Sequence, residues 1–431
     1  MTQLESARSG AVTPEMQHVS AVEVCDLDTV RGRIAAGRVV VLANRRHANV
    51  EPIGVGEGLR TKVNANFGTS PERSDIEGEL AKLRVAVEAG ADAVMDLSTG
   101  GDIDAVRRAI LAASPAPLGT VPIYQVALEC GGPEEMSMGR FMDVFERHAR
   151  DGVDFATIHA GVTRAALPLA EKRLMGAVSR GGSFMIKWMR RHGAESFLYE
   201  HFDDVLAVAR EYDVTMSLGD GLRPGCIADA TDEAQLHELR MLGELAQRCR
   251  EAGVQVMIEG PGHVPLDQIA ENVRLEKEIC DGAPFYVLGP LPTDIAPGYD
   301  HIVSAIGGAL AGAHGADFLC YVTPKEHVGL PGVVDVREGV IVSRIAAHVA
   351  DLAKGLPGAA AMDERMAGAR SRRDWDAMQE CAIDPVHFGH LLAGETKDDK
   401  CSMCGEFCAV KLFREPIERA STAATRKSGS P

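Results

Sequence analysis

Residues 214–260 read VTMSLGDGLRPGCIADATDEAQLHELRMLGELAQRCREAGVQVMIEG. The stretch opens on a short β-rich run, VTMSLGD (214–220), and closes on another, VQVMIEG (254–260). Between them lies DEAQLHELRMLGELAQRCREAG (232–253), whose apolar residues recur at intervals of three and four and which ends on glycine, as amphipathic helices do. Strand, helix and strand in that order imply two parallel strands joined by a crossover.

The unit recurs. RVVVLAN (38–44), DAVMDLS (92–98), LGTVPIY (118–124), DFATIHA (154–160), PFYVLGP (284–290) and DFLCYVT (317–323) join the first two runs to make eight. Amphipathic stretches such as 74–90 and 266–282 separate most of them. Eight such units predict an α/β fold with a closed (β/α)8 barrel of the TIM type, and the count disfavours the competing doubly wound open sheet. The barrel is expected over 71–358, after an α-rich N-terminal segment (1–70) that includes the first barrel strand. A C-terminal helical, cluster-binding region follows at 359–415, and the tail at 416–431 has a disorder-prone composition.

A chain of 431 residues with 45% apolar content, 45 glycines and 21 prolines has the profile of a soluble, loop-rich α/β enzyme. Its net charge of −17 argues against nucleic-acid or anionic-membrane partners, which require a basic face. An anionic substrate must therefore be held by local donors. MTQLESARSG lacks the pattern of a signal peptide, and His301, His314 and Asp317 interrupt the apolar stretch at 301–322 that would otherwise suggest a membrane span. Ten cysteines without regular spacing suit a reducing cytoplasm.

Barrel enzymes draw their chemistry from the carboxyl ends of strands. The tips here carry Asn44, Asp96, Tyr124, His159, Asp220, Glu259, Asp294 and His327, although Asp and Asn at such junctions also serve as helix caps. EGPGHVP places His263 beside Glu259, and TPKEHVGLP places His327 after the last run. Two imidazoles offered to one divalent metal suit zinc, with iron, cobalt or manganese as options and a hydrogen-bonded histidine pair as the alternative. SRGGSFM, from Ser179, is a glycine-rich helix opening that can receive a phosphate, with Arg180 and Arg223 as local cations, although a simple turn accounts for the glycines alone. KCSMCGEFCAVK (400–411) packs Cys401, Cys404 and Cys408 into eight residues. Three thiolates can hold a 4Fe-4S cluster with one open iron, or a zinc knuckle completed by Cys381, His387 or His390.

ANFGTS, MDLSTGGDID, GTVPIYQ, TIHAGVTR, SRGGSFM, SLGDGLRPG, MIEGPGHVP, LGPLPTDIAPGYDHI, YVTPKEHVGLP and CSMCG, in that order from about residue 37 to 412, resemble the ThiC family of thiamin biosynthesis. The resemblance implies a radical S-adenosylmethionine lyase that converts 5-aminoimidazole ribotide into 4-amino-5-hydroxymethyl-2-methylpyrimidine phosphate. It places Asn66, Met95, Tyr124, His159, Ser179, Arg180, Gly181, Asp220, Gly221, Leu222, Arg223, Glu259 and Tyr286 around the ribotide, with Tyr124, His159 and Glu259 catalytic. It also implies zinc or another divalent metal on His263 and His327, and a 4Fe-4S cluster on Cys401, Cys404 and Cys408. A flavodoxin- or ferredoxin-type electron donor is implied too, as is a homodimer in which one subunit's cluster tail covers its partner's barrel. Two features depart from the long bacterial members: three rather than four residues separate Cys404 from Cys408, and the long N-terminal extension is absent. A related family, 5-hydroxybenzimidazole synthase of cobamide biosynthesis, shares these motifs. The residues alone also allow a zinc-dependent barrel aldolase or hydrolase, or a metal or redox sensor.

Overall fold

The computed structural model describes residues 1–393, 396–397, 400–401 and 403–413. Two compact units divide the chain, Met1–Leu356 and residues 357 onward.

Ten strands are needed to describe the first unit: β1 (Val39–Leu42), β2 (Ile53–Gly56), β3 (Lys62–Phe67), β4 (Ala93–Asp96), β5 (Leu118–Thr120), β6 (Phe155–Ile158), β7 (Thr215–Leu218), β8 (Val256–Gly260), β9 (Phe285–Leu288) and β10 (Phe318–Cys320). β3 to β10 form a closed parallel barrel, sealed where β10 pairs with β3 in the register Phe318↔Lys62 to Cys320↔Asn64. The lumen is packed rather than open. Phe155 and Phe318 meet edge to face at 6.2 Å, and Tyr286 lies 4.5 Å from Phe318. Glycine makes room for these rings: a Cβ at Gly119 would fall 2.2 Å from the Phe155 ring, and one at Gly260 would fall 2.2 Å from Phe285. Burying each phenylalanine contributes roughly 1.5–3 kcal/mol.

One expected barrel strand is corrected. The run RVVVLAN supplies β1, which pairs antiparallel with β2 outside the barrel, Val39 opposite Gly56. Its alternate residues serve two cores, Val40 and Leu42 facing the barrel and Val39 and Val41 packing on Met16, Val30 and Ile34 of the N-terminal helices. Gln255, just before β8, exchanges hydrogen bonds with the Val41 backbone at 2.7 and 2.9 Å, so β1 closes the amino-terminal floor. Asn44 therefore belongs to that floor and not to the mouth, its amide donating to the carbonyls of Ala149 and Val153. The first barrel strand is instead β3, KVNANF, which escapes an apolar-run reading because its alternate residues are Lys62, Asn64 and Asn66. Lys62 is buried against Glu23 at 2.9 Å, and Asn64 bonds to the Tyr286 hydroxyl and to Asn66. Residues 1–70 thus hold three helices and three strands rather than one early strand.

Side-chain caps start many of the ring helices, among them Asp75 for Ile76–Glu88, Ser179 for Arg180–His192 and Asp232 for Glu233–Glu251. The apolar stretch at 301–322 forms Asp300–His314 and β10, and among the described residues no helix is long and apolar enough to cross a membrane.

The second unit is helical, with Pro357–Arg372, Trp375–Cys381 and Pro385–Leu392 followed by a short 3-10 turn at Gly405–Phe407. The tail expected at 416–431 and the side chain of Cys401 lie outside the described residues.

Candidate active site

The strand ends converge on one inner cavity of about 80 Å³. Asn66 and Met95 reach it from β3 and β4, Tyr124 from the first turn of the helix after β5, and His159, Asp220 and Arg223 from the ends of β6 and β7. Glu259 and Tyr286 complete it from β8 and β9. Above it opens an outer cavity of about 670 Å³ that shares Asn66, Tyr124 and Arg223 and adds Arg180, His263 and His327.

Burial sets the ionisation of the inner groups. His159 is pushed down to about 3 by desolvation and the nearby Arg223, so its imidazole is neutral, with Nε2 3.2 Å from the Ser179 hydroxyl and Nδ1 without a partner. Asp220 is pushed up to about 7 by burial and the Glu259 charge, against Arg223, whose guanidinium donates to it at 3.1 Å. Glu259 is also raised by burial, against hydroxyl donors Thr157 (2.6 Å) and Ser217 (2.7 Å). Both hydroxyls bond Oε1, and no described hydrogen bond engages Oε2. One guanidinium thus faces two carboxyl groups whose ionisation burial disfavours, the kind of environment in which carboxyls are recruited for proton transfer. The Arg180 guanidinium lies 4.9 Å over the Tyr124 ring, a cation–π contact at the boundary of the two cavities. Burial keeps both Tyr124 and Tyr286 protonated.

Ser179, Gly181, Gly221 and Leu222 do not line the inner cavity; they shape it from behind. Ser179 caps the Arg180–His192 helix, and a Cβ at Gly181 would lie 2.3 Å from the His159 ring. Only glycine lets that helix end approach the imidazole.

His263 and His327 stand with ring centroids 5.4 Å apart. Asp294 holds the Nδ1 of His263 at 2.7 Å and Asp300 that of His327 at 2.8 Å. Each carboxylate is itself fixed by a backbone N–H, Asp294 by Ile227 and Asp300 by Gly298. This is the carboxylate–histidine arrangement that orients imidazoles and leaves both Nε2 atoms for a metal. Burial lowers His263 below its usual range in spite of Asp294, which favours the neutral, ligating form. Among the described residues no third His, Cys, Asp or Glu completes the set, so a metal held here keeps open positions. In the second unit Cys404 is exposed and Cys408 partly exposed, both as free thiols flanking the Gly405–Phe407 turn, a disposition suited to a cluster.

The family model for the radical SAM ThiC family matches residues 2–415. The chain belongs to this family. Its relatives include the phosphomethylpyrimidine synthase of Desulforudis audaxviator, 57% identical with 96% of this chain and 98% of that one covered. That of Moorella thermoacetica is 56% identical, with 98% and 99% covered. Among solved structures, a dihydropteroate synthase from Coxiella burnetii aligns with a TM-score of 0.41 and 15% identity, over 69% of this chain and 96% of that one. Membership in the ThiC family brings S-adenosylmethionine and an iron–sulfur cluster as cofactors.

Sequence reading missed Thr157, Ser217, Asn64 and Cys320, and gave Asp294 and Asp300 no orienting role. Thr157 sits two residues before His159, the spacing that puts side chains on one face of a strand, whereas Ser217 sits three before Asp220 and no such spacing marks it. Cys320 ends β10, lines the inner cavity and accepts from Asn66 at 2.9 Å.

Proposed function

We propose that this chain is a phosphomethylpyrimidine synthase, converting 5-aminoimidazole ribotide into 4-amino-5-hydroxymethyl-2-methylpyrimidine phosphate for thiamin. The observation that carries the proposal is the convergence of Asn66, Tyr124, His159, Asp220, Arg223, Glu259 and Tyr286 on one buried cavity, in a chain of this family. In our reading the ribotide phosphate lies at the start of the Arg180–His192 helix, where Ser179, Gly181 and the Arg180 guanidinium offer donors to an anion. Met95 supplies an apolar wall. The turn Asp220, Gly221, Leu222 and Arg223 presents a carboxyl and a guanidinium to the ribose, and Asn66 and Tyr286 offer hydrogen bonds to the heterocycle.

Cys401, Cys404 and Cys408 would hold the 4Fe-4S cluster, which, reduced by one electron from an external donor, would supply the radical chemistry with S-adenosylmethionine. The chain's own residues position the ribotide, keep water out and move protons. Glu259, raised by burial, exchanges a proton through Oε2 while Thr157 and Ser217 hold Oε1. His159, held neutral, offers its unpartnered Nδ1 for a hydrogen bond to the substrate, and Tyr124, held protonated, offers its hydroxyl as a donor. His263 and His327, with Nδ1 engaged by Asp294 and Asp300, would hold zinc or another divalent metal, which would supply Lewis-acid polarisation of a polar ligand. We further propose a cytoplasmic homodimer reduced by a flavodoxin- or ferredoxin-type donor, with no nucleic-acid or membrane partner. Anaerobic reconstitution with ribotide, S-adenosylmethionine and a reductant, read by mass spectrometry, tests the reaction. The pyrimidine phosphate is expected; a hydroxybenzimidazole, or no product from cluster-loaded protein, overturns it.

A further inference from the structure

Glu238 lies in the Glu233–Glu251 helix, away from every strand tip, yet it is 2% exposed and its Oε2 accepts the Leu222 N–H at 2.7 Å. Oε1 has no hydrogen-bond partner and would lie 3.2 Å from a Cβ at Gly221. The turn above it has no slack. A Cβ at Gly221 would fall 2.3 Å from Val162, and one at Gly182 would fall 2.2 Å from the Gly221 carbonyl oxygen. The turn carrying Asp220 and Arg223 is thus clamped between the start of the Arg180–His192 helix on one side and Glu238 and Val162 on the other. A small cavity of about 20 Å³ behind it is bordered by Glu238, Asp220, Arg223 and Glu259.

We propose that Glu238 is a positioning residue that holds the Gly221–Leu222 peptide so that Asp220 and Arg223 face the substrate. The inference rests on the ribotide reading above. An apolar side chain in its place leaves the Leu222 N–H buried and unpaired, and the turn must shift to recover a partner. Burial and the neighbouring Asp220 push the Glu238 carboxyl up to about 8, against the Leu222 and Gly221 N–H groups and Arg173. It is therefore protonated at neutral pH, and glutamine reproduces both its shape and its acceptor.

The test compares full-length E238M, which keeps the volume and removes both oxygens, with E238Q, which keeps the acceptor. Leu245→Ala, buried on the same helix but outside the cavity behind the turn, is the packing control. Calorimetric titration with 5-aminoimidazole ribotide is expected to show binding weakened about tenfold or more in E238M, within about threefold of wild type in E238Q, and unchanged in the control. Equal binding by E238M and wild type, or E238Q as weak as E238M, overturns the inference. Should E238M not fold, E238D, with its oxygens drawn back from the turn, takes its place with the same expectation. Amide hydrogen exchange over 220–223 needs no ligand. If wild type does not bind the ribotide, the substrate reading fails, while faster exchange at Leu222 in E238M still supports the positioning role and unchanged exchange overturns it.

Discussion

Replacing Gly181 with alanine sets two effects of opposite sign against each other. In an exposed helix the change is favourable by about 1 kcal/mol, because glycine loses more backbone entropy than alanine. Here the new methyl would sit 2.3 Å from His159 Cε1 and 2.4 Å from Nδ1, whereas ordinary contact begins at 3.4 Å. The ring or the helix end must therefore retreat by about 1 Å, and the ring, 2% exposed, can retreat only into the substrate cavity that it lines. Overpacking of this kind destabilises by roughly 1–3 kcal/mol, so packing cancels or outweighs the propensity gain. A misplacement of about 1 Å in a reacting constellation lowers rate on the order of 100-fold. We expect Gly181→Ala to fold, to change melting temperature by only a few degrees, and to consume ribotide about 100-fold more slowly than wild type. Gly139→Ala, also helical but with nothing within 4 Å of the new Cβ, isolates the propensity effect and should leave turnover unchanged. The assay is anaerobic single-turnover ribotide consumption, with calorimetric melting of the same samples. Turnover by Gly181→Ala within about threefold of wild type would refute the claim that the helix end and His159 are packed as one unit.

His327→Ala should lose bound zinc, measured by elemental analysis after metal loading and desalting, while keeping the iron of the cluster; full zinc occupancy contradicts the two-histidine site. Cys404→Ala should abolish the cluster's absorbance and 5′-deoxyadenosine formation while the melting of the barrel is retained, and iron content equal to wild type would sink the cluster assignment. Glu276 is fully buried and pushed up to about 8 by burial, so the native state holds a proton that the unfolded chain releases near pH 4.3. Its stabilising contribution is fully present below the unfolded value and is lost as pH rises through about 8. Relative to Glu276→Gln, wild type should lose stability by on the order of 1 kcal/mol per pH unit between pH 5 and 8, read by denaturant melts; parallel pH profiles contradict the assignment.

Much of this protein is local in its sequence. Strand runs that end in His159, Asp220 and Glu259, helices closed by glycine, and three cysteines within eight residues are patterns of period and spacing that need no tertiary context. The family motifs add the residues proposed to surround the ribotide because each is a short, ordered signature. What escaped depended on what a side chain meets from a distant strand or helix. Lys62, Asn64 and Asn66 make KVNANF look unlike a strand until Glu23, Tyr286 and Cys320 stand opposite them. RVVVLAN looks like a barrel strand until Gln255 and the N-terminal helices claim its two faces. Thr157 and Ser217 are ordinary strand residues until Glu259 is brought to the same point, 102 and 42 residues away in sequence. Composition and periodicity decide which segments become strands and helices, because those preferences are set within a few residues. Hydrogen bonding and ionisation inside the barrel are set by burial and by partners dozens to hundreds of residues away, so only the closed fold decides which carboxyl holds a proton and which glycine must remain one.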